Sequence, residues 1–393
     1  MKRIAFSGTL DPITNGHMWV IGEARAMAEE VTIFLSENTL KKPQFPAEER
    51  KRIIELSAAE RGWDNIEVVI VKSDYTARVA KKRGIEYLIR GIRTTSDFDY
   101  ENLIQQTNVD VLHGAKTIFV MPPRDLGSVS SSFVRTLQGP VGWHWNMKKF
   151  VPRPAYQAWI IDWLHKDWNA LWGADENSAP ANATQWFLQL VGPTAYGGSA
   201  RHYHNLDHLV HGLTEIKAWA GRVGAAQADV DLLKKAFWFH DAVYAHVDAP
   251  VSDEEASAQL WLASGLGGAD AKPCADLIRC TDHFQASAIE HPLKHVMLGV
   301  DLAILGQDSE IYDAYAAAIR LEYQHVPEAE YRTKRAGALA HLCAKAESGT
   351  LYGDPYFAAQ YGEAALDNMR REIDELRRDS PYAGRPRPQA GEG

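Results

Sequence analysis

Ten residues near the amino end, Gly8 to His17 (GTLDPITNGH), constrain this chain most. A short apolar run, Ile4 to Phe6, leads into them. Trp19, Val20, Ile21 and Ala24 follow at the spacing of one helical face. The stretch therefore sits where a first buried strand turns into a first helix. In an open parallel sheet that turn receives phosphates, because a helix start offers unpaired N–H groups and positive dipole charge. Gly8 permits close backbone approach, and Asp11-Pro12 and Asn15-Gly16 are turn formers. Thr9 brings a hydroxyl, and His17 faces whatever the loop holds.

Residues 1–140 continue as alternating strand-like and helix-like segments. Strands are predicted at Val31–Leu35, Ile66–Val71, Tyr87–Ile89 and Thr117–Met121, with helices at Glu48–Ala59, Thr76–Arg83 and Phe98–Leu112. Such alternation implies an α/β doubly wound parallel sheet, with ligands at the carboxyl ends of its strands. Polar clusters fall at those ends. They are Lys41 and Lys42, the run LIRGIR with Arg90, Gly91 and Arg93, and SVSSS from Ser128 to Ser132. Serines at a helix start also serve as caps. Three cationic or hydroxyl-rich clusters at one sheet edge point to a polyphosphate site.

The elbow, together with KKPQF, LIRGIR, DFDYE, SVSSSFVR and WHWNMKKFVP, resembles phosphopantetheine adenylyltransferase, a nucleotidyltransferase of coenzyme A synthesis. The resemblance spans residues 1 to about 160. It implies transfer of AMP from ATP to 4′-phosphopantetheine, with Mg²⁺ accompanying the ATP. His17, Lys41 and Arg93 then assist transfer. Thr9, Lys41, Thr76 and Arg90 contact the acceptor. Gly8, Thr9, Leu10, His17, Gly91, Arg93, Glu101, Leu126, Ser128, Ser130, Ser131 and Ser132 contact ATP. Ser7 and Leu10 stand where the family has proline and phenylalanine, and DYTARVA replaces a Gly-Leu-rich stretch. Nicotinamide mononucleotide is the rival acceptor. The resemblance also implies a homo-oligomer, by kinship a hexamer, and feedback by coenzyme A.

At 393 residues the chain is long for one core, so two domains are expected. The net charge of −9 argues against a nucleic-acid partner. No apolar run approaches the roughly 20 residues that span a bilayer. The strand-like start is unlike a signal peptide. Three scattered cysteines fit reduced thiols and a cytoplasmic setting. Most of the 12 tryptophans lie between Trp143 and Trp261, which suggests a separate core in the second half. The boundary is expected near residue 162, after the KKFVPRP break. A helical domain then runs over 163–379, and the Pro/Gly-rich segment 380–393 reads as a disordered tail.

The second half carries RHYHNLDHLVHGL, with His202, His204, His208 and His211, then the adjacent His240 and Asp241, Asp282 and His283, and Asp301 in an apolar run. Such groups at separate points fit one divalent metal with mixed ligands. A carboxylate in apolar surroundings is costly without a partner. This pattern resembles the all-α HD-domain metal-dependent phosphohydrolases. The resemblance implies His204, His240, Asp241 and Asp301 as ligands of a divalent transition metal (Mn²⁺, Fe²⁺, Co²⁺, Ni²⁺ or Zn²⁺). His208 stands as an alternative first ligand, and His283 as a second-metal or phosphate group. Glu254 and Glu255 fall where that family carries acidic residues. The chain thus reads as a bifunctional enzyme. The alternative makes the helical half a nucleotide-sensing or oligomerisation module.

Overall fold

The computed structural model describes residues 1–37, 43–72, 74–111, 114–173, 180–245, 250–284 and 288–378. The chain divides into two compact units, Met1–Trp163 and Leu164–Gly393, with the division inside one helix. The segment 380–393, expected to be a tail, lies outside the described residues. Among the described residues, no helix is long and apolar enough to cross a membrane.

The first unit is built on five parallel strands, β1 (Arg3–Gly8), β2 (Glu30–Ser36), β3 (Ile66–Val71), β4 (Tyr87–Gly91) and β5 (Lys116–Val120), in the order β3-β2-β1-β4-β5. The strands read as continuous apolar runs because both faces are covered, as in β2, where Val31 to Leu35 are all buried. Register is set by pairs such as Phe6 with Ile33 and Ala5 with Leu88. The intervening helices are α1 (Asn15–Met27), α2 (Ala47–Ala59), α3 (Thr76–Lys82) and α4 (Thr95–Gln106). The expected helix to Leu112 instead ends at Gln106 and passes into a π-helical turn, Thr107–Val111. The short helices α5 (Ser131–Thr136) and α6 (Trp143–Lys148) follow β5, and α7 (Arg153–Trp172) contains the division. Strand order reverses at β1, so a crevice opens beyond the carboxyl ends of β1 and β4.

The described part of the second unit is helical. After the end of α7 come α8 (Ala183–Val191), α9 (Leu206–Val223), α10 (Gln227–Phe239), α11 (Asp253–Ser264), α12 (Ala271–Arg279), α13 (Lys294–Leu302), α14 (Ser309–Glu322), α15 (Glu328–Glu347) and α16 (Pro355–Arg377). Trp168, Phe187, Trp238, Phe239 and Trp261 form its aromatic core, with Trp168 and Trp238 edge to face at 5.0 Å. The tryptophan cluster is nonetheless shared between units, since Trp143, Trp145, Trp159 and Trp163 lie in the first.

Helix α9 begins at Asn205, whose side chain accepts the Asp207 N–H at 2.8 Å, and ends on Gly224 at φ 69°. It meets α10 at Gly212, where a Cβ would stand 2.0 Å from Phe237. Phe237 in turn stacks on His240 at 4.2 Å. A Gly212→Ala change therefore overpacks the α9–α10 contact and is expected to lower stability by about 1–3 kcal/mol. Denaturant unfolding checks this, and an unchanged midpoint contradicts it.

Candidate functional sites

A cavity of about 1340 Å³ opens at the crevice beyond β1 and β4. Of the residues expected to act there, Gly8, Thr9, Leu10, His17, Thr76, Arg90, Gly91, Arg93, Glu101, Leu126, Ser130, Ser131 and Ser132 line it. Ser128 is not among the lining residues, and Lys41 and Lys42 lie outside the described residues.

Local chemistry places His17. Thr14 caps α1: its hydroxyl accepts the His17 N–H at 3.4 Å, while the Thr14 N–H donates to His17 Nδ1 at 3.0 Å. An Nδ1 that accepts an amide proton leaves the ring proton of the neutral imidazole on Nε2. Desolvation in the cleft, then the positive Arg93 and Arg90, lower the His17 pKa to about 4. The ring thus presents an uncharged N–H donor at neutral pH. The helix start itself is partly used internally, since Asn15 N–H donates to the Phe150 carbonyl at 2.8 Å.

Arg90 and Arg93 are each held in place by a protein acceptor. Arg90 Nε donates to Glu101 at 2.9 Å, and its Nη1 donates to the Ser7 carbonyl. Arg93 Nε donates to Asp97 at 2.9 Å. Ser130 caps α5 through the Phe133 N–H at 3.1 Å, and Ser131 Oγ donates to the Pro12 carbonyl at 2.7 Å. Sequence reasoning missed two more lining guanidiniums, Arg50 and Arg135. Arg50 could have been found: it shares the buried face of α2 with Ile53, Ile54 and Ser57, an odd place for a cation. Asp11, read as a turn former, is buried. Its carboxylate accepts the Gln44 N–H at 2.7 Å and the Phe45 N–H at 3.3 Å.

The second unit gathers His208, His240, Asp241 and Asp301, one ligand atom from each lying within 4.8 Å of the others. The Nε2 atoms of His208 and His240 are 3.0 Å apart. Asp241 Oδ2 stands 3.4 Å and 3.1 Å from them, and Asp301 Oδ1 3.5 Å and 3.4 Å. Donors at about 2.0–2.1 Å around a tetrahedral ion sit about 3.3 Å apart, so the set fits a first-row divalent metal. His240 Nδ1 lies 2.8 Å from the Phe237 carbonyl, the contact that turns Nε2 toward the cluster. Burial pushes the Asp241 and Asp301 carboxyls up, but the neighbouring histidines outweigh it and hold both well below the usual range.

Of the two candidate first histidines, the cluster includes His208 and not His204. His204 lies before the α9 cap, and its Nδ1 pairs with Glu322 at 2.7 Å instead. His208, in the first turn of α9, is the histidine of this segment that joins the cluster. Glu322 was missed. It is buried, accepts the N–H groups of His202, Tyr203 and His204 at 2.8, 2.8 and 2.9 Å, and is held down to about 2. Burial opposes that shift, while the His204 and backbone hydrogen bonds produce it. Glu322 could have been flagged, because it falls on the apolar face of α14 with Ile319. His283 Nε2 meets Asp301 Oδ2 at 2.7 Å. Glu255 is instead taken by Arg279 at 2.6 Å. Cys274, Cys280 and Cys343 are buried and form no disulfide with one another.

A parallel sheet with a glycine-bearing elbow and guanidiniums at its switch point is consistent with a Rossmann-like nucleotidyltransferase, and residues 5–137 match the cytidylyltransferase-like family. The phosphopantetheine adenylyltransferase of Chromobacterium violaceum is 34% identical over 157 residues, covering 40% of this chain and 94% of that protein. That of Neisseria meningitidis serogroup B is 29% identical over 166 residues, covering 42% and 96%. That of Histophilus somni strain 2336 is 36% identical over 137 residues, covering 35% and 85%. Through its first unit, the chain belongs to the phosphopantetheine adenylyltransferase family.

The His17 shift has a definite sign. A folded pKa of about 4, below the ordinary 6.5, means the neutral ring contributes stability above pH 6.5 that is lost as pH falls toward 4. NMR titration of the His17 ring in the ligand-free protein is expected to show a midpoint near 4. A midpoint near 6.5 would contradict the assigned environment.

Proposed function

We propose that the first unit transfers the adenylyl group of ATP to 4′-phosphopantetheine, yielding dephospho-coenzyme A and pyrophosphate. The observation that carries this reading is the convergence of His17, Arg90, Arg93 and Ser130–Ser132 on one cavity at the β1–β4 switch point. Kinship to the adenylyltransferases supports the choice of acceptor. A phosphate oxygen of the acceptor attacks the α-phosphorus in line. A new P–O bond forms, and the bond to the bridging oxygen of pyrophosphate breaks. Such chemistry requires positioning and charge neutralisation rather than a protein nucleophile. The His17 Nε2–H donates to an oxygen that gains charge, and Arg90 and Arg93 neutralise the phosphates. Mg²⁺ arrives with the triphosphate as part of the substrate. Lys41 is assigned to the acceptor phosphate by resemblance alone, since it lies outside the described residues.

Purified protein is expected to release pyrophosphate from ATP with 4′-phosphopantetheine, and His17→Ala to lower kcat by about 10²–10³. Turnover with nicotinamide mononucleotide alone would sink the acceptor assignment. Helix α4 has no buried residue, Phe98, Leu103 and Met121 are exposed, and β5 is a sheet edge. These features support self-association, which light scattering would register as a mass above the 43.8 kDa chain.

For the second unit we propose a metal-dependent phosphohydrolase, on the strength of the four-ligand cluster. His208, His240, Asp241 and Asp301 would hold the ion. When bound, a divalent metal activates water and polarises a phosphoryl oxygen. His283 orients Asp301, and the Glu322–His204 pair stands beside the cluster, with His204 and His208 rings 5.7 Å apart. Metal analysis is expected to find one bound divalent ion, lost in His240→Ala together with phosphomonoester hydrolysis. Nucleotide binding without any hydrolysis would favour a sensing module, and intact hydrolysis in His240→Ala would remove this site.

A further inference from the structure

The elbow between β1 and α1 is strained. Leu10 adopts φ 46°, the left-handed region, at a cost of about 1–2 kcal/mol for a residue with a side chain. Such a conformation persists only where surrounding contacts fix it. Three carbonyls of this short loop are each taken by a side-chain donor from elsewhere in the unit. The Thr9 carbonyl accepts Arg50 Nη1 at 2.5 Å, the Asp11 carbonyl accepts Arg135 Nη1, and the Pro12 carbonyl accepts Ser131 Oγ. Arg50 is only 4% exposed, and its Nε donates at 3.0 Å to the Phe45 carbonyl, so one guanidinium spans the elbow and the segment before α2. The Asp11 carboxylate ties the same two segments through Gln44 and Phe45. Arg135 adds a hydrogen bond to Ser132 Oγ at 3.2 Å.

Carbonyl oxygens facing a polyphosphate would repel it. In a trans peptide the N–H points opposite its carbonyl, so drawing the Thr9 carbonyl onto Arg50 turns the Leu10 N–H the other way. We infer that Arg50 and Arg135 are positioning residues that clamp the elbow in its left-handed form, withdrawing its carbonyls and presenting the Leu10 amide to a polyphosphate in the cavity. The inference rests on the reading of the first unit as an adenylyltransferase, and it assigns work to two arginines that the comparison of motifs leaves unassigned. Arg50 acts through the Thr9 and Phe45 carbonyls rather than as a phosphate ligand.

The test uses the full chain and two probes, inorganic triphosphate binding by calorimetry and turnover of ATP with 4′-phosphopantetheine. Arg50→Met keeps the side-chain stem but removes the donors. Arg135→Gln alters a less buried position and guards against failure of the first variant to fold. Both are expected to weaken triphosphate binding about tenfold, the loss of one charge-assisted hydrogen bond's worth of order. Both are expected to lower kcat per folded molecule about 10- to 100-fold, with acceptor KM within about twofold. Arg50→Lys retains the charge but cannot bridge both carbonyls, so it is expected to stay at least about fivefold below wild type. Full recovery in Arg50→Lys, or wild-type kcat and affinity per folded molecule in both other variants, overturns the clamp. Triphosphate binding without turnover of 4′-phosphopantetheine refutes the acceptor assignment while the affinities still decide the clamp. A wild-type chain that binds no triphosphate overturns the clamp as well.

Discussion

Thr14 donates its amide to the His17 ring and takes the His17 amide on its hydroxyl. This reciprocal pair closes α1 and, in the same geometry, decides which ring nitrogen carries the proton. Capping and chemistry are therefore one arrangement. Burial, reinforced by the positive Arg93 and Arg90, then keeps the ring neutral, so its donor capacity does not depend on pH over the physiological range. Around this fixed point the rest of the cleft is assembled from strand ends, with Arg90 closing β4 and the serine segment entering after β5.

Much of this was legible because the parallel sheet writes itself in alternating apolar runs and helical faces. The elbow, LIRGIR and SVSSS each fall at a strand end, and topology alone brings strand ends together. Arg50 could be flagged as a cation on a buried helix face, but the partners of Arg50, Arg135 and Asp11 could not be read, since hydrogen bonds to distant backbone groups leave no local pattern. The π-helical turn after Gln106 was missed for a related reason: Thr107 to Val111 look like ordinary helix, and only the packing fixes how the last turn is wound. The exact serine contacts also escaped, because neighbouring hydroxyls are alike in sequence and differ only in what stands opposite each one.

In the second unit, Asp301 stood out from its apolar surroundings, where a bare carboxylate is hard to sustain, and the adjacent His240 and Asp241 from the resemblance. The choice between His204 and His208 was not, because the two lie one turn apart. The start of the helix separates them. Asn205 caps α9, which leaves His204 outside it against Glu322 and His208 inside it facing α10. Gly212 completes the arrangement by letting the two helices come together at Phe237.

The pairing of Arg90 with Glu101 and of Arg93 with Asp97 has a consequence for traffic through the cleft. Without counterions, several guanidiniums facing one hollow would repel each other and swing into solvent. The carboxylates of α4 act as resident anions that keep them parked at the wall, so an arriving phosphate meets cations already ordered. Its entry is then an exchange of one anion for another. The departing product meets the reverse exchange, with Glu101 and Asp97 ready to reclaim their partners.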